Sequence, residues 1–302
     1  YDTWASKLPF VSSGVNITRI EVWVTNKGNR YEQSRNIVSF MDLGEEKRIA
    51  SGHWTPNPAY PNPSNNSNDL LRTIKDQYPD ARDISQVTQI LAPLQAYDIE
   101  GGKDYEKIES ARLLSSNEYT LNSNLGYISI KSALNADEVL AVAYEYTYHG
   151  QVYQVGEFSG DITETDKALY VKMLKGTTVN PRLPMWDLMM KNVYNLGGYQ
   201  IQKEKFKFNI KYLSDTTGTK INYLPIPGLN DKSLLQVMNL DRLDSQQDSN
   251  PDGFFDFVEG YTILSATGKV IFPVVEPFGS HLESVITDPV QREHYCLSLI
   301  HI

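Results

Sequence analysis

Alternation with a period of two dominates this chain. In Ile20-Glu-Val-Trp-Val-Thr25, Ile20, Val22 and Val24 point one way while Glu21, Trp23 and Thr25 point the other, as in a strand with one buried face. Lys27-Gly-Asn29 supplies a turn, and residues 35–42 (RNIVSFMD) predict a second strand paired near the first. In residues 139–148, Leu140, Val142, Tyr144, Tyr146 and Tyr148 share a face. His149-Gly150 then offers a two-residue turn into residues 151–155, which predicts a hairpin with an aromatic stripe. In residues 205–212 the alternation is strict: Phe206, Phe208, Ile210 and Tyr212 on one side, Lys205, Lys207, Asn209 and Lys211 on the other. That pattern predicts a strand with one wet face.

Helical spacing is confined mainly to Asp69–Leu94, where Asp83 is placed to cap a helix carrying Ile84, Val87, Ile90 and Leu91 on one face. Residues 51–68 set Pro56, Pro58, Pro61 and Pro63 among Asn and Ser, the composition of a loop or linker. The expected fold is mainly β, with antiparallel β-sandwich-like domains and a short helical segment. Its expected divisions are a β-rich segment at 1–50, a proline-rich loop and helical segment at 51–115, and a sandwich-like domain at 116–290.

Composition narrows the function classes. The 302 residues are enough for about two domains with a real core. With 37 acidic against 28 basic residues the net charge is -9, which argues against nucleic acid, whose binding rests on clustered Lys and Arg. The single cysteine, Cys296, has no intramolecular partner for a disulfide, and no Cys/His cluster offers a zinc site. No stretch approaches the roughly 18 consecutive apolar residues of a spanning helix. The opening YDTWASKLPF lacks the basic start and apolar core of a signal peptide and reads as the middle of a protein, so a fragment is expected. The closing CLSLIHI, residues 296–302, reads as a non-native tail.

Motifs for catalysis are missing from the sequence. There is no G-x-S-x-G, H-E-x-x-H, P-loop or G-x-G-x-x-G pattern. His53, His149, His281, His294 and His301 are scattered singly. Glu45-Glu46 and Asp137-Glu138 could be imagined as glycosidase carboxylates, but solvated charge is the simpler reading. Trp4, Trp23, Trp54 and Trp186 could stack on sugars, yet core packing explains them more cheaply. The expectation is therefore a protein that is not an enzyme.

One stretch does carry ligand chemistry. DSNPDGFFDFVE, residues 248–259, follows the D-x-[DN]-x-[DN]-G-x5-E spacing of a calcium loop. Asp248, Asn250, Asp252, Asp256 and Glu259 supply side-chain oxygens, the Phe254 carbonyl fills the remaining position, and Gly253 allows the sharp turn. Bound Ca2+ would be structural, locking the loop against the strand expected at 260–264, with Phe255 as its anchor. The competing reading is an Asx-rich turn built by the same Asp, Asn, Pro and Gly residues.

Several long segments, in order, resemble the SprA family, also called Sov. They are ITRIEVWVTNK followed by RNIVSFMDLGE, NADEVLAVAYEYTYHGQVYQVGEFS, PMWDLMMKNVYNLGGYQIQKEKFKFNI, LLQVMNLDRL, and PDGFFDFVEGYTI followed by GKVIFPVVEPFGSHL. The resemblance runs from about Asn16 to Leu282. It implies a non-catalytic internal fragment of a much larger outer-membrane β-barrel protein of Bacteroidetes, serving gliding motility and type IX secretion. It also implies other secretion components and secreted cargo as partners, location in the outer membrane, and no catalytic residues to carry over. Lysines of residues 205–211 facing lipid would cost about 2–4 kcal/mol each, so a water-facing domain is expected, periplasmic or at the cell surface. A calcium-dependent carbohydrate-binding or adhesion β-sandwich is the alternative.

Overall fold

The computed structural model describes Lys7 and residues 13–28, 33–178, 180–214 and 217–295. Trp4, Cys296, His301 and the 296–302 segment lie outside the described residues. The chain divides into two compact units, Ser13–Met189 and a second formed mainly by Met190–Ile302. Residues 13–50 of the first expected segment and all of 51–115 therefore share one unit with the first part of 116–290. The cause is long-range pairing, since the first strand takes its partner more than a hundred residues away.

In the first unit five strands close on themselves. They are β1 (Val15–Val24), β2 (Ser34–Phe40), β3 (Tyr105–Leu113), β6 (Leu140–Tyr148) and β8 (Leu169–Lys175). Around the ring the order is β1-β3-β2-β8-β6, with β6 returning to β1. All neighbours are antiparallel except β2 and β8, which run parallel with Ile37 opposite Leu169. The result is a small closed barrel rather than a sandwich. The expected pairing of the first two strands is also replaced, because β3 lies between them.

Closure explains why the one-sided reading of residues 20–25 fails. Trp23 is 1% exposed and Val22 and Val24 are equally enclosed, so both faces of β1 are buried at its end, from Val22 to Val24. Trp23 belongs with Ile37, Ile108, Ala111, Ala141, Ala143, Phe158, Leu169 and Val171, the alternate positions that fill the barrel. Large and small side chains share that interior, as the taper of a narrow barrel requires. Val22 and Val24 pack outward with Leu114 and Val142 beneath a hairpin, β4 (Tyr119–Asn122) and β5 (Tyr127–Ile130), whose Tyr119, Ile128 and Ile130 cover them. Another outer face, including Val38, Phe40, Tyr105 and Tyr170, is covered by the helical segment.

That segment consists of α1 (Leu70–Gln77) and α2 (Val87–Leu91) with 3-10 turns after each. Asp83 does not cap α2, whose N-cap is Gln86; its carboxylate instead accepts bonds from the Ser85 N–H and hydroxyl and the Gln86 amide. Residues 51–68 are a packed loop and no linker. Trp54 enters the core, and Thr55 and Asp69 bond reciprocally across the loop's ends.

The expected hairpin of β6 with β7 (Gln151–Val155) is present, with His149 and Gly150 both at positive φ as its two-residue turn demands. Gly156 then redirects the chain at φ +81; a side chain there would stand 3.1 Å from Cβ of Ala143. This turn delivers Glu157 into the interior.

The second unit holds β9 (Val193–Asn195), β12 (Ile263–Leu264) and β13 (Lys269–Ile271) in one sheet, ordered β12-β13-β9. A separate short ladder joins β10 (Tyr212–Leu213) to β11 (Lys220–Ile221). Its core gathers Leu224, Ile226, Leu234, Leu235, Met238, Leu240, Val270 and Phe272. Residues 205–212 keep their alternation of half-buried Phe206, Phe208 and Ile210 with exposed lysines, yet they form no strand before Tyr212. The apolar side chains find Phe255 at 5.6 and 5.2 Å in edge-on contacts, so side-chain packing alone sustains the pattern. Among the described residues no helix is long and apolar enough to cross a membrane.

Candidate functional site

Two groupings of polar side chains are candidates for a site, one in each unit. In the second, the acidic loop forms a clasp. Asp241, 1% exposed, accepts the N–H groups of Asp252 and Gly253 at 2.9 and 3.1 Å, one on each carboxylate oxygen. Asp256, also buried, accepts the N–H of Arg242 at 2.7 Å and that of Leu243 at 3.2 Å, while its own N–H donates to the Leu240 carbonyl. Each aspartate thus caps the backbone beside the other. Thr262 adds a hydroxyl bond to the Asp256 carbonyl.

Burial raises the Asp256 carboxyl; the bonds from Arg242 and Leu243 oppose this, and the charges of Asp241 and Asp252 add to the rise, leaving it at about 6. The loop therefore brings Asp252 and Asp256 together, and joins to them Asp241, which the calcium spacing did not include. Asp248 and Asn250 are exposed. Asp252 accepts the Phe254 N–H in an Asx turn, and Glu259 is turned to the Ser265 N–H at 3.0 Å. Phe254 has an exposed side chain, and Phe255 anchors the loop in the core as expected.

Of the donor set expected for Ca2+, namely Asp248, Asn250, Asp252, the Phe254 carbonyl, Asp256 and Glu259, the carboxylates of Asp252, Asp256 and Glu259 face backbone N–H groups, while Asp248 and Asn250 are exposed. Among the described residues no group of three or more His, Cys, Asp and Glu is arranged to hold a metal ion. Backbone N–H groups compete for the same oxygens, and at Asp256 and Glu259 they hold them. Calcium would have to share these oxygens with backbone N–H groups that already hold the loop in place without it. The expected outcome is that the melting midpoint stays the same with calcium and with chelator, in the wild type and in Glu259→Gln alike. A calcium-dependent rise lost in Glu259→Gln would establish the metal site instead.

The first unit carries an open cavity of about 770 Å³. Its walls are loops: Ala50–His53, then Tyr97, Asp98, Lys103 and Asp104, then residues 182–185, with Met41 and Met185 at its apolar side. Asp42, at the end of β2, fixes the first wall by accepting the N–H groups of Ala50 and Ser51 at 2.7 and 2.9 Å. Burial raises the Asp42 carboxyl above its ordinary range, against these bonds and the Lys172 charge. Lys172 is itself buried, bonded to the Met41 carbonyl and to Glu45. Asp104 holds the second wall by accepting the Glu100 N–H at 2.9 Å.

His53 lies between two aromatic neighbours, Trp54 edge-on at 4.7 Å and Tyr97 tilted over it at 4.2 Å. Tyr97 is 56% exposed. Asp98 takes a left-handed φ of 60° as the last 3-10 turn ends, which leaves its side chain in solvent. The cavity was not legible in the sequence, because its polar groups come from three loops that neither spacing nor motif connects.

Trp23 and Trp54 are core residues, as packing suggested, and Trp186 is half-buried. His149 sits at the hairpin tip. In the comparisons with known proteins, no protein-family model and no curated protein matches this chain.

Proposed function

We propose that the chain is a non-catalytic, water-facing part of a SprA-like outer-membrane translocon, needed for type IX export of proteins to the cell surface and for gliding. One observation carries the reading: the ordered segments that resemble the family supply three of the five barrel strands and both halves of the acidic clasp. ITRIEVWVTNK and RNIVSFMDLGE contribute β1 and β2 with the Asp42 anchor. NADEVLAVAYEYTYHGQVYQVGEFS contributes β6, β7 and Glu157. LLQVMNLDRL and PDGFFDFVEGYTI contribute the two halves of the Asp241–Asp256 clasp.

The physical form limits what the first unit does in such a machine. Its barrel is filled with side chains and has no lumen for cargo, so it serves as a domain attached to the conduit rather than as the conduit. Its partners are then other secretion components and passing cargo, met through its loops. In-frame removal of the first unit from the parent gene, followed by assay of cargo export, tests the reading.

A further inference from the structure

We propose that the cavity of the first unit binds a short oligosaccharide, with a sugar ring on Tyr97. This goes beyond the secretion reading and does not depend on it. Sugar recognition needs a flat aromatic face for the C–H side of a pyranose, with planar polar groups at its rim for pairs of hydroxyls. Tyr97 supplies the face: it is exposed, with His53 packed against it at 4.2 Å and Trp54 edge-on to His53. Three rim groups surround it. The Asp98 carboxylate is exposed and makes no hydrogen bond or ion pair to a described residue, which leaves two acceptor oxygens. The Arg182 guanidinium is likewise exposed and uncommitted among the described residues, a fork matched to two neighbouring oxygens. Lys103 reaches the Asp98 carbonyl at 3.3 Å and pairs with Asp104 at 3.6 Å, and its ammonium has a third N–H for a ligand.

A protein segment fits less well. A bound peptide must satisfy its own backbone, commonly by joining a strand edge, and no cavity-lining residue lies in a strand. The lining also carries both signs of charge, Asp98 and Asp104 with Lys103 and Arg182, which suits hydroxyls better than a strongly charged ligand. A volume of about 770 Å³ has room for more than one sugar ring.

The test is binding of the full chain to a printed array of neutral and uronic-acid-containing oligosaccharides, followed by titration of the best hits. Wild type should bind. Tyr97→Ala should weaken binding roughly thirtyfold, the loss typical of an aromatic anchor, while Tyr97→Phe stays within a few fold. Gly52 lines the mouth with open space where a side chain would project, so Gly52→Phe should block the cavity. Neither Tyr97→Ala nor Gly52→Phe should move the melting midpoint. No array binding at millimolar sugar would overturn the proposal. So would binding that survives both variants, or capture of peptides from a peptide array with no sugar bound.

Discussion

Glu157→Ala is expected to destabilise the first unit by about 3–5 kcal/mol, lowering its melting midpoint by roughly 10 °C. Glu157 is nearly sealed from solvent and is bound by Arg82 at 2.7 and 3.0 Å, by Lys75 at 2.8 Å and by the Tyr170 N–H at 2.9 Å. The Arg82 guanidinium also donates to the Ala168 carbonyl and lies 4.3 Å over the Tyr170 ring. Removing the carboxylate strands a mostly buried guanidinium and an unpaired N–H, and an uncompensated buried charge costs far more than the intact pair returns.

The pH dependence follows from the same contacts. Burial alone would raise the Glu157 carboxyl, but Arg82, Lys75 and the Tyr170 N–H outweigh it and hold the group below its ordinary value of 4.5. Its contribution is therefore complete above about pH 4.5 and is lost as pH falls through the depressed folded value. In denaturant melts, the stability gap between wild type and Glu157→Gln should be constant from pH 7 to 5 and close below that. A gap unchanged down to pH 3 would refute the assignment.

Asp241→Ala should cost the second unit about 2–4 kcal/mol, because it orphans the N–H groups of Asp252 and Gly253 and opens one half of the clasp. The partner aspartate gives the opposite pH signature to Glu157. With its folded carboxyl raised from 3.8 to about 6, Asp256 favours folding most fully below about pH 3.8, and that contribution is lost as pH rises through 6. The second unit should therefore gain stability as pH falls from 7 toward 4, and Asp256→Asn should flatten that slope. Hydrogen exchange resolves the two units separately, and a slope kept in Asp256→Asn would assign it elsewhere.

Local features were legible where local physics decides them. The β6–β7 hairpin is an example, since alternation and a His149-Gly150 turn fix it without help from the rest of the chain. The anchoring of Phe255 was legible for the same reason, whereas of the strand expected at 260–264 only Ile263–Leu264 form one, the chain turning at 260–262. Closure was not: that Trp23 is buried depends on β6 returning to β1 across more than a hundred residues, and no window of sequence contains that. The 205–212 run misled because alternating burial looks the same whether or not a neighbouring strand completes the ladder. At the acidic loop the spacing marked Asp252 and Asp256, but Asp241, eleven and twelve residues before the N–H groups it accepts, was invisible to a motif confined to 248–259.

The central claim is the export role, and in-frame deletion of residues 13–189 from the parent gene tests it most directly. With the shortened parent still present in the outer membrane at its usual level, the account predicts that secreted cargo accumulates inside the cell envelope and that gliding stops. Normal surface delivery of cargo in that strain would contradict it.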